Sequence, residues 1–145
     1  MKKQTLKTVA YWIATLLGPT SFVIGGVLSL RQSPEVVAGV QHLGYPLYFA
    51  TLLGVWKLLG AIVITAPGLP RVKEWAYAGF VFDLTAAAVS HAAVGDSRGD
   101  IAAPLVFLAL VAASWALRPE SRRLPAPVRR AAVAPAPAGV PAMAA

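Results

Sequence analysis

Two ionisable residues interrupt long apolar runs: Lys57 in one and Asp83 in the next. A lysine donates hydrogen bonds and stabilises anions, and an aspartate accepts protons. Together they make an acid/base pair or a hydrogen-bonding floor for a ligand. More polar groups stand nearby. His91 lies eight residues beyond Asp83, about two helical turns on and about 80° round. Ser90 is almost in line with Asp83. Gln41 and His42 precede Tyr45 and Tyr48, Trp56 adjoins Lys57, and Asp96 and Asp100 follow His91. The candidate catalytic residues are Asp83, His91 and Lys57. The candidate substrate-binding residues are Gln41, His42, Tyr45, Tyr48, Trp56, Ser90 and Ser21. Two histidines without paired spacing do not make a metal site.

The elements that must position these groups are apolar helices. The 145 residues are 57% hydrophobic and 13% charged, well below the charge of a soluble domain. Four stretches approach the ~20 apolar residues that a span needs: residues 8–30, 46–66, 72–94 and 101–117. Pro67-Gly68-Leu69-Pro70 ends the second. Ser33-Pro34 reads as an N-cap and first-turn proline, so a short interfacial helix is expected between spans one and two. The expected fold is all-α: a four-helix transmembrane bundle over residues 1–118. A disordered Pro/Ala/Arg-rich tail over 119–145 follows.

Charge placement gives orientation. Lys2, Lys3 and Lys7, then Arg71 and Lys73, then Arg118, Arg122, Arg123, Arg129 and Arg130 all fall at one end of an alternating bundle. By the positive-inside rule both termini face the cytoplasm of a bacterial-type inner membrane. The net charge of +7 therefore reads as topology, and nucleic acid is excluded as a partner. The sequence has no cysteine, which removes disulfides and thiolate chemistry within the chain.

In this topology Lys57 and Asp83 each lie eleven residues into their span, from opposite sides. That is about 16 Å, near the centre of a hydrocarbon core of about 30 Å. A charge there costs about 2.5–3.5 kcal/mol. Two opposite charges at one depth on antiparallel neighbours are expected to pair. Small residues mark packing faces: Ala50, Gly54, Gly60 and Ala61 near Lys57, and Ala76, Gly79, Ala87 and Ser90 near Asp83. Gly18, Ser21, Gly25 and Ser29 give the first span a similar face. A polar cavity opening outward, with the pair at its floor, would gather the remaining candidates.

Several ordered stretches resemble the DoxX-like family of small four-helix membrane proteins. They are His42-Leu43-Gly44-Tyr45-Pro46, Gly54-Val55-Trp56-Lys57-Leu58-Leu59-Gly60-Ala61 and Ala66-Pro67. Lys73-Glu74-Trp75-Ala76-Tyr77-Ala78-Gly79-Phe80, Phe82-Asp83-Leu84-Thr85, Ser90-His91 and Gly95-Asp96 continue the likeness, which covers about residues 8–118. It implies a quinone- or redox-linked accessory subunit, with a quinone as the implied cofactor and a membrane or peripheral oxidoreductase as the implied partner. The residues alone equally allow a cofactor-independent enzyme, an isomerase, cyclase or epoxide-opening enzyme, acting on a lipophilic molecule. They also allow a structural protein whose ion pair only fixes packing. The small-residue faces permit a homodimer.

Overall fold

The computed structural model describes residues 2–124, which are helical throughout apart from short connections. Helix α1 (Lys2–Leu17) is followed by a 3-10 turn at Pro19–Ser21 and by α2 (Phe22–Leu30). Then come α3 (Pro34–His42), α4 (Leu47–Thr65), α5 (Pro70–Ala93) and α6 (Arg98–Leu117). A 3-10 turn at Glu120–Arg122 closes the described chain.

The first expected span is therefore two helices. Pro19 has no N–H for the α ladder, and its ring opposes the preceding turn. The freed backbone groups are re-satisfied locally: Gly18 N–H donates to Ala14 O at 2.9 Å, and Ser21 N–H donates to Gly18 O at 3.1 Å. Such a break is tolerated within a membrane only with this compensation. A helix forms where the short interfacial one was expected, with Pro34 in its first turn, but Ser33 makes no capping hydrogen bond. Ser97 does cap α6: it accepts from the Asp100 N–H at 3.4 Å and donates to Asp100 Oδ2 at 2.6 Å.

Among the described residues, three stretches are long and apolar enough to cross a membrane: Gln4–Leu30, Leu47–Thr65 and Arg98–Leu117. The 24-residue α5 is longer than two of them, but Arg71, Lys73, Glu74, Asp83 and His91 dilute its apolar character. Large apolar side chains such as Leu6, Ile24, Ile62, Phe82, Val89 and Val106 face outward, where a bilayer would cover them.

The helices pack by close approach of small residues. Gly26 and Gly54 meet between α2 and α4. A Cβ on Gly54 would lie 2.9 Å from the Gly26 carbonyl oxygen. Gly25, expected on this face, meets nothing within 4 Å, because one residue along a helix turns the side chain by about 100°. The apolar core joins Ile64, Tyr77, Phe80, Leu84 and Val111. Phe22 stacks on Phe80 at 4.7 Å between ring centres. A buried hydroxyl chain ties α1, α5 and α6: Thr15 Oγ1 lies 2.7 Å from Ser114 Oγ, which lies 2.8 Å from the Tyr77 hydroxyl. With no water in reach, these hydroxyls satisfy one another.

The two ends differ chemically. At the basic end, Lys73 folds back and is 1% exposed. Its Nζ donates to the Val63, Ile64 and Ala66 carbonyls, which closes the open C-terminus of α4. Arg122 Nη1 donates to Ile64 O at 3.1 Å and Thr65 O at 3.2 Å. Arg118 pairs with Glu74 at 2.8 Å and lies over the Tyr77 ring. The first residues of the stretch expected as a tail thus dock on the bundle, while 125–145 lie outside the described residues. The opposite end carries both histidines.

Candidate functional site

Lys57 and Asp83 do meet. Lys57 Nζ stands 3.5 Å from Asp83 Oδ2, with the side chains 21% and 18% exposed. Lys57 also lies 5.8 Å from the Phe22 ring centre, a cation–π distance. A separation of 3.5 Å is long for a charge-assisted hydrogen bond. Neither side chain hydrogen-bonds to another described residue. Their remaining capacity faces a cavity.

That cavity has a volume of about 460 Å³ and is walled by α4 and α5 alone. On α4 its residues recur at helical spacing, from Leu53 through Lys57 and Gly60 to Val63. On α5 they run from Val72 through Trp75 and Gly79 to Asp83. Apart from Lys57 and Asp83 the lining is almost wholly apolar. Trp56 and Trp75 belong to the lining yet are 63% and 76% exposed, so the cavity opens sideways between the two helices. Gly79 supplies open wall, since a Cβ there would meet nothing within 4 Å. It is not a helix-packing glycine, in contrast to Gly60, whose Cβ would touch the Phe80 ring at 2.9 Å.

The expected outward polar cavity is not what forms. The other candidates close on one another at the histidine end. Asp96 bridges both imidazoles: His42 Nε2 at 2.7 Å and His91 Nδ1 at 2.6 Å. An ionised carboxylate only accepts, so each ring nitrogen donates. Gly95, at φ 79°, makes the turn that brings Asp96 back to His91. Tyr45 OH lies 2.8 Å from Ser90 Oγ, and its ring stacks on Phe49. The cavity instead runs from the pair toward the basic end.

The remaining candidates are dispersed. Of the three residues put forward as catalytic, His91 is engaged with Asp96 and does not line the cavity. Gln41 and Tyr48 are exposed on the outside. Ser21 donates to Gly18 O at 2.6 Å and serves the break after α1. Only Lys57, Asp83 and Trp56 of the ten candidates line the cavity. Sequence reasoning missed Gly79 as open wall. It also missed Trp75, which lies eight residues before Asp83, about two turns back and about 80° round the helix. No group of three or more His, Asp or Glu among the described residues could hold a metal ion.

The bridge makes a pH prediction. Hydrogen bonds from His91 and then His42 hold the Asp96 carboxyl below its ordinary range. A carboxyl lowered by folding adds stability above its unfolded range, and that stability is lost as pH falls through the folded range. Thermal melts in detergent should therefore show a loss on acidification below the ordinary carboxylate range. Asp96→Asn should start less stable at neutral pH and lose less. Parallel acid profiles for the variant and the parent would contradict this.

Comparison with known proteins gives the family. Uncharacterized protein YdgD of Bacillus subtilis (strain 168) is 30% identical over 77 residues, covering 53% of this chain and 67% of that protein. No solved structure matches the chain. A sequence profile of the DoxX-like family matches residues 13–114. With most of the described helices inside that match, and with apolar stretches long enough to cross a bilayer, the chain belongs to the DoxX-like family of membrane proteins.

Proposed function

We propose that the cavity between α4 and α5 binds a lipophilic molecule of the quinone kind, and that the protein serves a membrane redox system as an accessory subunit. One observation carries this reading: a lateral, apolar cavity whose polar floor is a cation and a carboxylate 3.5 Å apart with bonding capacity to spare. Its volume falls within the range of about 300–1,000 Å³ typical of ligand sites. An ion pair kept solely for packing would gain from a shorter contact and fuller burial than these side chains have.

In this reading α5 is a fourth span. Pairing Asp83 with Lys57 lowers the cost of burying each charge. Both termini then lie on the cytoplasmic side with the basic end. The residues present fit a quinone. Lys57 donates to a carbonyl oxygen, Asp83 accepts from a hydroxyl, and the tryptophans and Phe80 flank the ring. The lateral mouth leaves an isoprenoid chain in lipid. Electrons come from a partner oxidoreductase, because nothing in the described fold is arranged to store them. His91 is engaged with Asp96 and does not line the cavity, so an acid/base pairing of His91 with Asp83 does not support an enzyme reading there.

Tryptophan fluorescence tests the reading, since Trp56 and Trp75 line the cavity. Purified protein in nanodiscs is titrated with a short-chain benzoquinone or naphthoquinone. Saturable quenching is expected. A Cβ at Gly79 would meet nothing within 4 Å, so Gly79→Phe should send its ring into the cavity and weaken binding by at least about tenfold, or about 1.4 kcal/mol, with the fold intact. Quenching that never saturates in the parent protein, or that Gly79→Phe leaves unchanged, would overturn the proposal.

A further inference from the structure

A second, smaller recess lies at the basic end, away from the ligand cavity. Its volume is about 60 Å³, and its walls are mostly polar. That is about twice the liquid volume of one water, so it admits a compact charged group and not a folded ligand. Lys7, Arg118 and Arg123 bring positive charge to it, and Glu120 is the carboxylate among its lining residues. Glu74 already pairs with Arg118. Among the described residues, three cations against these two carboxylates leave one positive charge without a counterion.

The surroundings say what would supply the counterion. Arg118 is 4% exposed and is fixed by the Trp115 carbonyl at 2.9 Å. Arg123 is held by the Arg118 carbonyl at 2.8 Å and the Ala116 carbonyl at 3.0 Å. The guanidinium groups are thus placed before any ligand arrives, which lowers the entropic cost of binding. Lys7 makes no ion pair or hydrogen bond through its side chain to another described residue. Leu117 also lines the recess. From it the same face of α6 continues at helical spacing through Leu110 to Val106, and Val106 is 61% exposed. A polar recess for a single anion thus leads onto an apolar track of about two to three helical turns.

We infer that this recess is a binding site for the phosphodiester of an anionic phospholipid, with an acyl chain lying along the Leu117–Val106 face of α6. The recess lies among the first residues of α1 and just past the end of α6, at headgroup level for spans that begin at Gln4 and end at Leu117. A phosphodiester carries the one negative charge that the recess lacks. Free inorganic phosphate shares that chemistry but would leave the apolar track unused.

Native mass spectrometry of detergent-purified protein, after exchange into phosphatidylglycerol or phosphatidylcholine, reads the bound lipid directly. The parent protein is expected to retain one phosphatidylglycerol in preference to phosphatidylcholine. Lys7→Gln should lower that retention about fivefold, the worth of one cation near an anionic headgroup. The Lys7 side chain is exposed and makes no polar contact with another described residue, so this variant is expected to fold. Arg31→Gln, at the opposite end, should change nothing. Excess inorganic phosphate should not displace the lipid. Equal retention of the two lipids, unchanged retention in Lys7→Gln, or displacement by phosphate would each overturn the inference.

Discussion

Asp83→Leu alone is expected to destabilise the protein by about 3–5 kcal/mol, the usual cost of stranding one partner of a buried pair. The leucine itself fits an apolar wall. The damage comes from Lys57, whose side chain is 21% exposed and loses the carboxylate at 3.5 Å. Lys57→Met should cost a similar amount by stranding Asp83. The double variant should recover most of the loss, because two apolar side chains suit a lipid-facing cavity better than one lone charge. Chemical or thermal unfolding in micelles measures all three. Additive losses in the double variant would show that the two side chains do not act as a pair.

The other large effect belongs to the contact between α2 and α4. Gly54→Leu should cost about 3 kcal/mol by overpacking. Its first carbon would press on the Gly26 carbonyl at 2.9 Å, on Ser29 Cβ at 3.0 Å and on Leu30 at 3.1 Å. Backbone cannot move aside as a flexible side chain can, so the helices must separate. Gly25→Leu is the control. It meets nothing within 4 Å and removes a helix-interior glycine, so it should be neutral or slightly stabilising. A Gly54→Leu variant as stable as its parent would contradict the close approach of the two helices.

The contrast between adjacent glycines shows what sequence can and cannot reveal. Apolar length exposes a span, but the rotation of that span is a tertiary fact, and a step of one residue moves the contact from Gly25 to Gly26. The pairing of Lys57 with Asp83 was legible because equal depth on antiparallel neighbours needs no knowledge of rotation beyond the small-residue faces. The break after α1 was written as Gly18-Pro19, yet the apolar run on either side reads as one span. Lys73 counts toward topology as a loop charge. Its burial follows from a turn, with Gly68 at φ 67° and Leu69 at φ 53°, that aims its long side chain at the end of α4.

The site divided along the same lines. His91 and Asp96 are five residues apart across a helix end, and only the turn at Gly95 makes them partners. Once Asp96 gathers both histidines, the polar groups near the helix ends are consumed. The direction of the cavity depends on how α4 and α5 lie against each other, which no local motif encodes. Trp56, Lys57, Gly79 and Asp83 were visible as residues. That they share one lateral cavity, with His91 outside it, was not.

The central claim is that Lys57 and Asp83 form the floor of a ligand site and do not serve only to hold α4 against α5. Quinone titration of the Lys57→Met/Asp83→Leu variant in nanodiscs, read through tryptophan quenching, tests it most directly. The account predicts a folded protein of near-parental stability whose saturable binding is weakened at least about tenfold. A folded double variant that binds as tightly as its parent would contradict it and leave the pair a packing device.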